Sequence, residues 1–344
     1  MTAVEVRPLA PTDAARWEAF VERAAEATFF HRLGWREVIE RSFGHRTHYL
    51  LATRGDAVAG VLPLAEVSSL LFGHALVSLP FCAVAGVAAA DGEAAAALQR
   101  AAQALGARLG VAHLELRHPT PRAASWPRQE LYASFRKALA PDPEANMLAI
   151  PRKQRAMVRK GIKHGLRAEL DPGVDRFFAL YADNVHRHGT PPLPKRYFEH
   201  LRRVFGPAAE VQTVVDASGR PVSSVLSFYF RNEVLPYYAG DCVDARDLAA
   251  NDFKYWELMR RACERGVRLF DFGRSKQGTG PYDFKRNWGF EPQPMAYEYW
   301  LYRRRTIPEN NPLNPKYRAL IALWRRLPIG VANALGPHLV KSLG

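Results

Sequence analysis

The sequence predicts an α/β protein of mixed α+β sheets, built from two domains of similar topology. Three observations carry that expectation. The chain has 344 residues, 48% apolar and 24% charged, enough for two ordinary cores and unlike a disordered chain. A strand, a tight glycine turn and a longer strand occur twice, at 48–64 around Gly55 and at 211–230 around Gly219. Each reads as a β-hairpin. Later in each half a helix runs into a glycine and then a strand: 94–109, Gly110 and 111–116, then 252–265, Gly266 and 267–272. Glycine stops many helices, so the order of elements carries the repeat more than any one match.

The elements follow in order. After the first hairpin, Val67–Ala90 is free of Lys, Arg, Asp and Glu, long enough to suggest a bilayer span. Gly73, His74, Ser78, Pro80 and Gly86 break it, so two buried strands joined by a turn are expected. The first domain is placed at residues 1–149. Residues 151–170 hold seven Lys/Arg and one acid, Glu169, and read as a short basic helix at the domain junction. The second domain is placed at 150–303. Near its end Leu269, Phe270 and Phe272 form a strand that Gly273 closes. Gly278, Thr279, Gly280 and Pro281 make a loop that lets backbone approach a ligand. Lys285 follows, among Phe284, Trp288 and Phe290.

An extension, 304–344, contains a proline- and asparagine-rich linker at 308–315. From Tyr317 onward it has four Lys/Arg and no acids, with apolar residues broken by Pro328 and Pro337. Such a stretch can lie in a membrane interface. Packing across the domains as a closing helix is the favoured alternative.

Net charge is +14, which points to an anionic partner: nucleic acid, a phosphate-bearing substrate or an acidic membrane surface. Cys82, Cys242 and Cys263 lack CxxC spacing, so neither a disulfide framework nor structural zinc is expected, in keeping with a cytoplasmic protein. The opening residues lack the basic region and apolar run of a signal peptide. His31, His45, His48 and His74 show no metal-ligand spacing. His186 and His188 read as part of a turn or gating loop. Ser223, Ser224 and Ser227 have no His–Asp pattern of a serine hydrolase.

Four stretches, FFHRLGW at 29–35, IPRKQRAMVRK at 150–160, HGTPP at 188–192 and DFGRS…YDFKRNWGF within 271–290, together resemble the FemAB-like branch of the acetyltransferase (GNAT) superfamily. They are most similar to FemAB-related proteins of PEP-CTERM/exosortase and exopolysaccharide loci. The resemblance covers almost the whole chain, and its last motif is the most specific. It implies tandem GNAT-like domains around a central cleft. It also implies amide-forming acyl or aminoacyl transfer in envelope, peptidoglycan-type or exopolysaccharide assembly. Fem transferases take an aminoacyl-tRNA donor and an undecaprenyl- or nucleotide-linked muropeptide acceptor. The Arg/Gln-x-x-Gly-x-Gly/Ala signature for coenzyme A is not evident, and no coiled-coil arm accompanies the domains. The donor therefore stays open between aminoacyl-tRNA and acyl-CoA, with no cofactor or metal assigned.

The resemblance places an oxyanion-stabilising lysine at Lys285, beside Phe284. A preorganised ammonium stabilises charge that develops on a carbonyl oxygen when an amine attacks it. Asp241 or Asp271 could take the amine proton, with structural capping the alternative. Tyr229 and Tyr238 are candidate cleft groups, although packing is the commoner role for strand tyrosines. Gly273, Arg274 and Trp35 complete the expected substrate surface. Arg152, Lys153 and Arg155 would guide donor or acceptor phosphates. Two other readings remain: an acyl-CoA-dependent transferase of a small amine, and a non-catalytic basic scaffold for RNA or membrane. A peripheral position at the cytoplasmic face of the inner membrane is expected, with tRNA as a candidate partner and no stable protein partner.

Overall fold

The computed structural model describes residues 2–69, 73–308 and 318–341. It divides into two compact units, one of Met1–Tyr132, Pro294–Asn310 and Lys341–Gly344, the other of Ala133–Gln293 and Asn311–Val340.

The first unit opens with β1 (Val4–Pro8), α1 (Ala14–Arg23) and α2 (Gly34–Phe43). The expected hairpin follows as β2 (Thr47–Arg54) and β3 (Ala57–Ser69), turning at Gly55 with φ 57°. β4 (Gly73–Val77) pairs antiparallel with the end of β3, so of the strands expected within Val67–Ala90 one is mostly the continuation of β3, which enters that stretch only at Val67–Ser69; residues 70–72 lie outside the described residues. β5 (Ala88–Ala89) precedes α3 (Gly92–Leu109). Asp91 caps α3 by accepting from the Ala94 amide at 2.9 Å, and Gly110 stops it with φ 66°. β6 (His113–His118) and β7 (Arg128–Gln129) complete this part. α3 lays Ala94, Leu98, Ala102 and Leu105 into a core with Leu50, Leu62, Leu76 and Leu114.

The second unit begins with β8 (Tyr132–Ala138), α4 (Pro143–Ala149) and α5 (Arg152–Lys163). β9 (Arg167–Asp171), α6 (Asp175–Arg187) and α7 (Lys195–Phe205) follow. The second hairpin is β10 (Ala209–Val215) and β11 (Pro221–Phe230), leading to β12 (Glu233–Asp241). α8 (Ala250–Glu264), Gly266 at φ 83° and β13 (Leu269–Asp271) repeat the helix, glycine and strand of the first half. β14 (Ser275–Lys276), α9 (Gly280–Asn287) and β15 (Pro292–Pro294) close the unit's main run. After it come β16 (Ala296–Leu301), α10 (Arg318–Trp324) and α11 (Ile329–Val340).

The sheet of the first unit runs β1-β2-β3-β4-β6-β16-β7, with β5 on β3; that of the second runs β14-β8-β13-β12-β11-β10-β9, with β15 on β8. β4–β6 and β12–β13 are parallel, while pairs such as β2–β3, β6–β16, β10–β11 and β11–β12 are antiparallel, so both sheets are mixed. The expected boundaries at 149/150 and 303/304 therefore need correction. β8 hydrogen-bonds to β13, matching Ala138 to Leu269, and buries Ala133 and Phe135 in the second core. β16 returns to the first sheet, matching Ala296 to His118 on β6. There Glu298 holds the buried His118 at 2.9 Å.

The basic helix is α5, but it lies inside the second unit rather than at a junction. Val158 is buried, and at Gly161 a Cβ would come within 2.8 Å of Phe253, so α5 lies directly on α8. The tail packs on the second unit. His186 on α6 pairs through its Nε2 with the Trp324 carbonyl at 3.1 Å, and Arg325 donates to the His188 carbonyl at 3.2 Å. Of the expected linker, residues 309–315 lie outside the described residues.

Candidate active site around Lys285

The glycine-rich stretch is a short strand, a turn and a helix. Thr279 occupies the N-cap position of α9 and Pro281 its first turn, where a missing amide hydrogen costs nothing. The helix ends in a Schellman arrangement, with the Phe290 amide donating to the Lys285 carbonyl at 3.2 Å and Gly289 at φ 77°. This reversal drops Phe290 onto Phe272, their ring centroids 4.7 Å apart. The Trp288 indole donates to Asp252 on α8 at 2.9 Å, which fixes the helix against the core.

Lys285 thus projects from α9, not from a loop. Its Nζ donates to the carbonyls of Gly273 at 2.9 Å and Arg274 at 3.1 Å. The rings of Phe135 and Phe272 lie 5.5 and 5.9 Å from it. An ammonium has three donors, and these two carbonyls take two of them. Burial lowers the Lys285 pKa to about 7; Asp271 opposes that fall and Arg274 adds to it.

Asp271 shapes this cradle. Its Oδ1 accepts from the Gly273 amide at 2.7 Å, an Asx-type turn that suits the left-handed φ of 69° at Gly273. Arg136 on β8 stands 3.2 Å from its other oxygen and also pairs with Glu233 on β12. Burial raises the Asp271 pKa, and burial followed by the nearby Asp271 charge pushes Glu233 up to about 7. Neither Arg136 nor Glu233 stood out in the sequence, because each sits at a strand position whose partner is set by pairing across the sheet.

The other expected residues separate. Asp241 accepts from the Lys254 Nζ at 2.9 Å and from the Ser223 hydroxyl. Lys254 is completely buried. Burial works most strongly against its charge, but Asp241 together with Tyr255 and Asp252 outweighs it and the pKa is raised. Asp241 is therefore committed as a counter-ion. A lysine set among Phe253, Tyr255 and Trp256 on α8 was the one signal that could have found this pair.

Tyr238 stands among Tyr181, Tyr197, Phe198 and Tyr237, its hydroxyl 3.0 Å from that of Tyr197. Tyr229 donates to Glu210 at 3.3 Å, under the Arg265 guanidinium at 4.2 Å. Both follow the packing alternative. Trp35 is fully buried in the first unit and donates to the Phe29 carbonyl at 3.1 Å, so it is a core residue and not substrate surface. Phe284 packs on Phe272, Tyr255 and Trp288. Arg152 and Lys153 are exposed on the first turn of α5, and Arg155 donates to the Leu148 carbonyl at 3.0 Å. That turn adjoins the end of α9: a Cβ on Gly289 would come within 3.3 Å of Pro151.

A sequence model of the acetyltransferase (GNAT) domain matches residues 152–286, inside the second unit. No curated protein sequence matches the chain. Among solved structures, FemX aligns over 92% of this chain and 100% of its own, at 14% identity and a TM-score of 0.67. The C-terminal domain of a putative lysylphosphatidylglycerol synthetase from Agrobacterium fabrum aligns over 84% of this chain and 91% of its own, at 15% identity and a TM-score of 0.58. A tandem GNAT protein from the clavulanic acid biosynthesis pathway aligns over 88% and 100%, at 17% identity and a TM-score of 0.52. At these identities the likeness is one of fold. Residues 152–286 match the acetyltransferase (GNAT) domain model, and the chain resembles FemX and the tandem GNAT protein in fold.

Proposed function

We propose that the protein is a FemAB-like N-acyltransferase that forms an amide on an envelope or exopolysaccharide precursor at the cytoplasmic membrane face. One observation carries the reading: Lys285 is held by two carbonyls in an aromatic pocket. An acceptor amine attacks the donor's activated carbonyl carbon, and the electron pair of the C=O bond moves onto oxygen. The Lys285 ammonium hydrogen-bonds to that oxyanion. Collapse restores the C=O bond and expels the donor's alkoxide or thiolate, which takes up the proton lost by the amine. The ammonium stabilises the transition state more than the ground state because the charge appears only there.

Arg152 and Lys153, exposed beside the end of α9, suit a phosphate-bearing donor or acceptor. FemX and the lysylphosphatidylglycerol synthetase domain lend the envelope assignment its weight. An exosortase-linked exopolysaccharide precursor is one acceptor of this class. Acetyl-CoA is the competing donor, since the model that matches residues 152–286 is that of an acetyltransferase (GNAT) domain.

The test is a mass-spectrometric screen of purified protein with aminoacyl-tRNA and acyl-CoA donors and lipid- or nucleotide-linked acceptors. A product formed by wild type and lost in folded Lys285→Met supports the reading and names the donor. A product undiminished in Lys285→Met removes Lys285 from the chemistry. RNA binding without transfer from any donor would favour a basic scaffold.

A further inference from the structure

α11 packs with its small residues inward. Ala332, Gly336 and Val340 recur every fourth residue and are buried. A Cβ on Gly336 would stand 2.6 Å from Pro192 Cδ, so the helix lies directly on the second unit. Val331, Leu335 and Leu339 recur at the same spacing and face solvent. With Leu323 and Ile329 they are 42–62% exposed. Among the described residues, five of the ten exposed large hydrophobics lie between 323 and 339, which makes this a patch rather than scatter. A helix that served only to close the unit would turn its larger apolar residues inward.

The charges around the stripe choose its occupant. Residues 318–341 contain no acid, and Arg325 and Arg326, just before α11, and Lys341, just after it, are exposed. A self-complementary contact with a second copy would bring these like charges together. An anionic headgroup layer would pair with them. Among the described residues no helix is long and apolar enough to cross a membrane, and α11 has 12 residues. Its geometry suits lying in the interface rather than spanning it.

We propose that α11, with the turn before it, docks on an anionic lipid surface. Val331, Leu335 and Leu339 enter the acyl boundary, and Arg325, Arg326 and Lys341 meet headgroup phosphates. The proposal stands on the tail alone and is independent of the role of Lys285.

Full-length protein is sedimented with phosphatidylglycerol/phosphatidylethanolamine vesicles and, separately, with phosphatidylcholine vesicles. Wild type is expected to bind the anionic vesicles, and Leu335→Gln with Leu339→Gln to weaken binding roughly tenfold or more. Both positions are exposed, so circular dichroism and Tm should match wild type. If the double variant unfolds, Leu339→Ser alone serves the same comparison. Arg326→Glu should weaken binding to the anionic vesicles. Three results would overturn the proposal. Wild type could stay in the supernatant. The stripe variants could bind as wild type does, placing the contact elsewhere. Wild type could be a dimer without lipid that the stripe variants disperse, showing that a second copy covers the face.

Discussion

The proton on Lys285 makes the oxyanion reading quantitative. An exposed lysine stays charged to about pH 10, whereas burial brings Lys285 to about 7. One pH unit above that value only about one-tenth of the molecules keep the ammonium. If the ammonium stabilises the oxyanion, kcat/KM falls with a midpoint near pH 7, by about tenfold per unit beyond it. The assay follows product by mass spectrometry from pH 5.5 to 9.5. It uses a weakly basic acceptor, such as a hydrazide, whose own amine stays uncharged throughout. Lys285→Met should be roughly 10²–10³ slower and flat across this range. A wild-type rate that rises through pH 7 would make the neutral amine a general base and refute the oxyanion role. A rate that holds level to pH 9.5 would refute the burial argument. A Lys285→Met profile that keeps the wild-type midpoint would assign the titration to another group.

The same shift has a stability consequence. Between about pH 7 and 10.5 the unfolded chain binds the Lys285 proton and the folded chain does not, so stability rises with pH across that window. The gain has a ceiling of about 5 kcal/mol, and denaturant titrations of Lys285→Met should lack it. Asp241→Asn strands the completely buried Lys254 and should cost about 3–5 kcal/mol in urea unfolding. If Asp241 were instead the catalytic base, activity would collapse with stability intact. Gly240→Ala should be more damaging than its size suggests. The added Cβ would sit 2.4 Å from the Tyr181 backbone on α6, which cannot swing aside as a side chain can. A Tm within 2 °C of wild type would show that α6 does not press on β12 as described.

Local patterns were legible because their causes are local. The hairpins at Gly55 and Gly219 need a residue tolerant of positive φ, and both glycines adopt it. Gly110 and Gly266 stop helices for the same reason. The domain boundaries were not legible. Tyr132–Ala138 and Ala296–Leu301 are ordinary strand sequences, and each could complete either sheet. What assigns them is a set of partners more than a hundred residues away, Leu269–Asp271 for one and His113–His118 for the other. A reader of the chain cuts it into contiguous pieces, whereas the two sheets are assembled from interrupted ones.

The site divides along the same line. Lys285, Phe284, Gly273 and Asp271 fall within one short stretch, and the structure brings them together through contacts of two to twelve residues' separation. The groups that tune them do not. Arg136 reaches Asp271 and Glu233 only because β8 lies beside β13, and β13 beside β12. Asp241, in sequence a candidate proton acceptor or a structural cap, pairs with Lys254 because α8 delivers that lysine to it. Arg136→Met separates these two kinds of contribution. It leaves Asp271 and Glu233 without their shared counter-charge, so at least one carboxyl should take up a proton. The mid-range Lys285 titration should then shift while its carbonyl contacts persist. An unchanged kcat/KM profile in that variant would mean that the residues visible in the local motif set the behaviour of Lys285 by themselves.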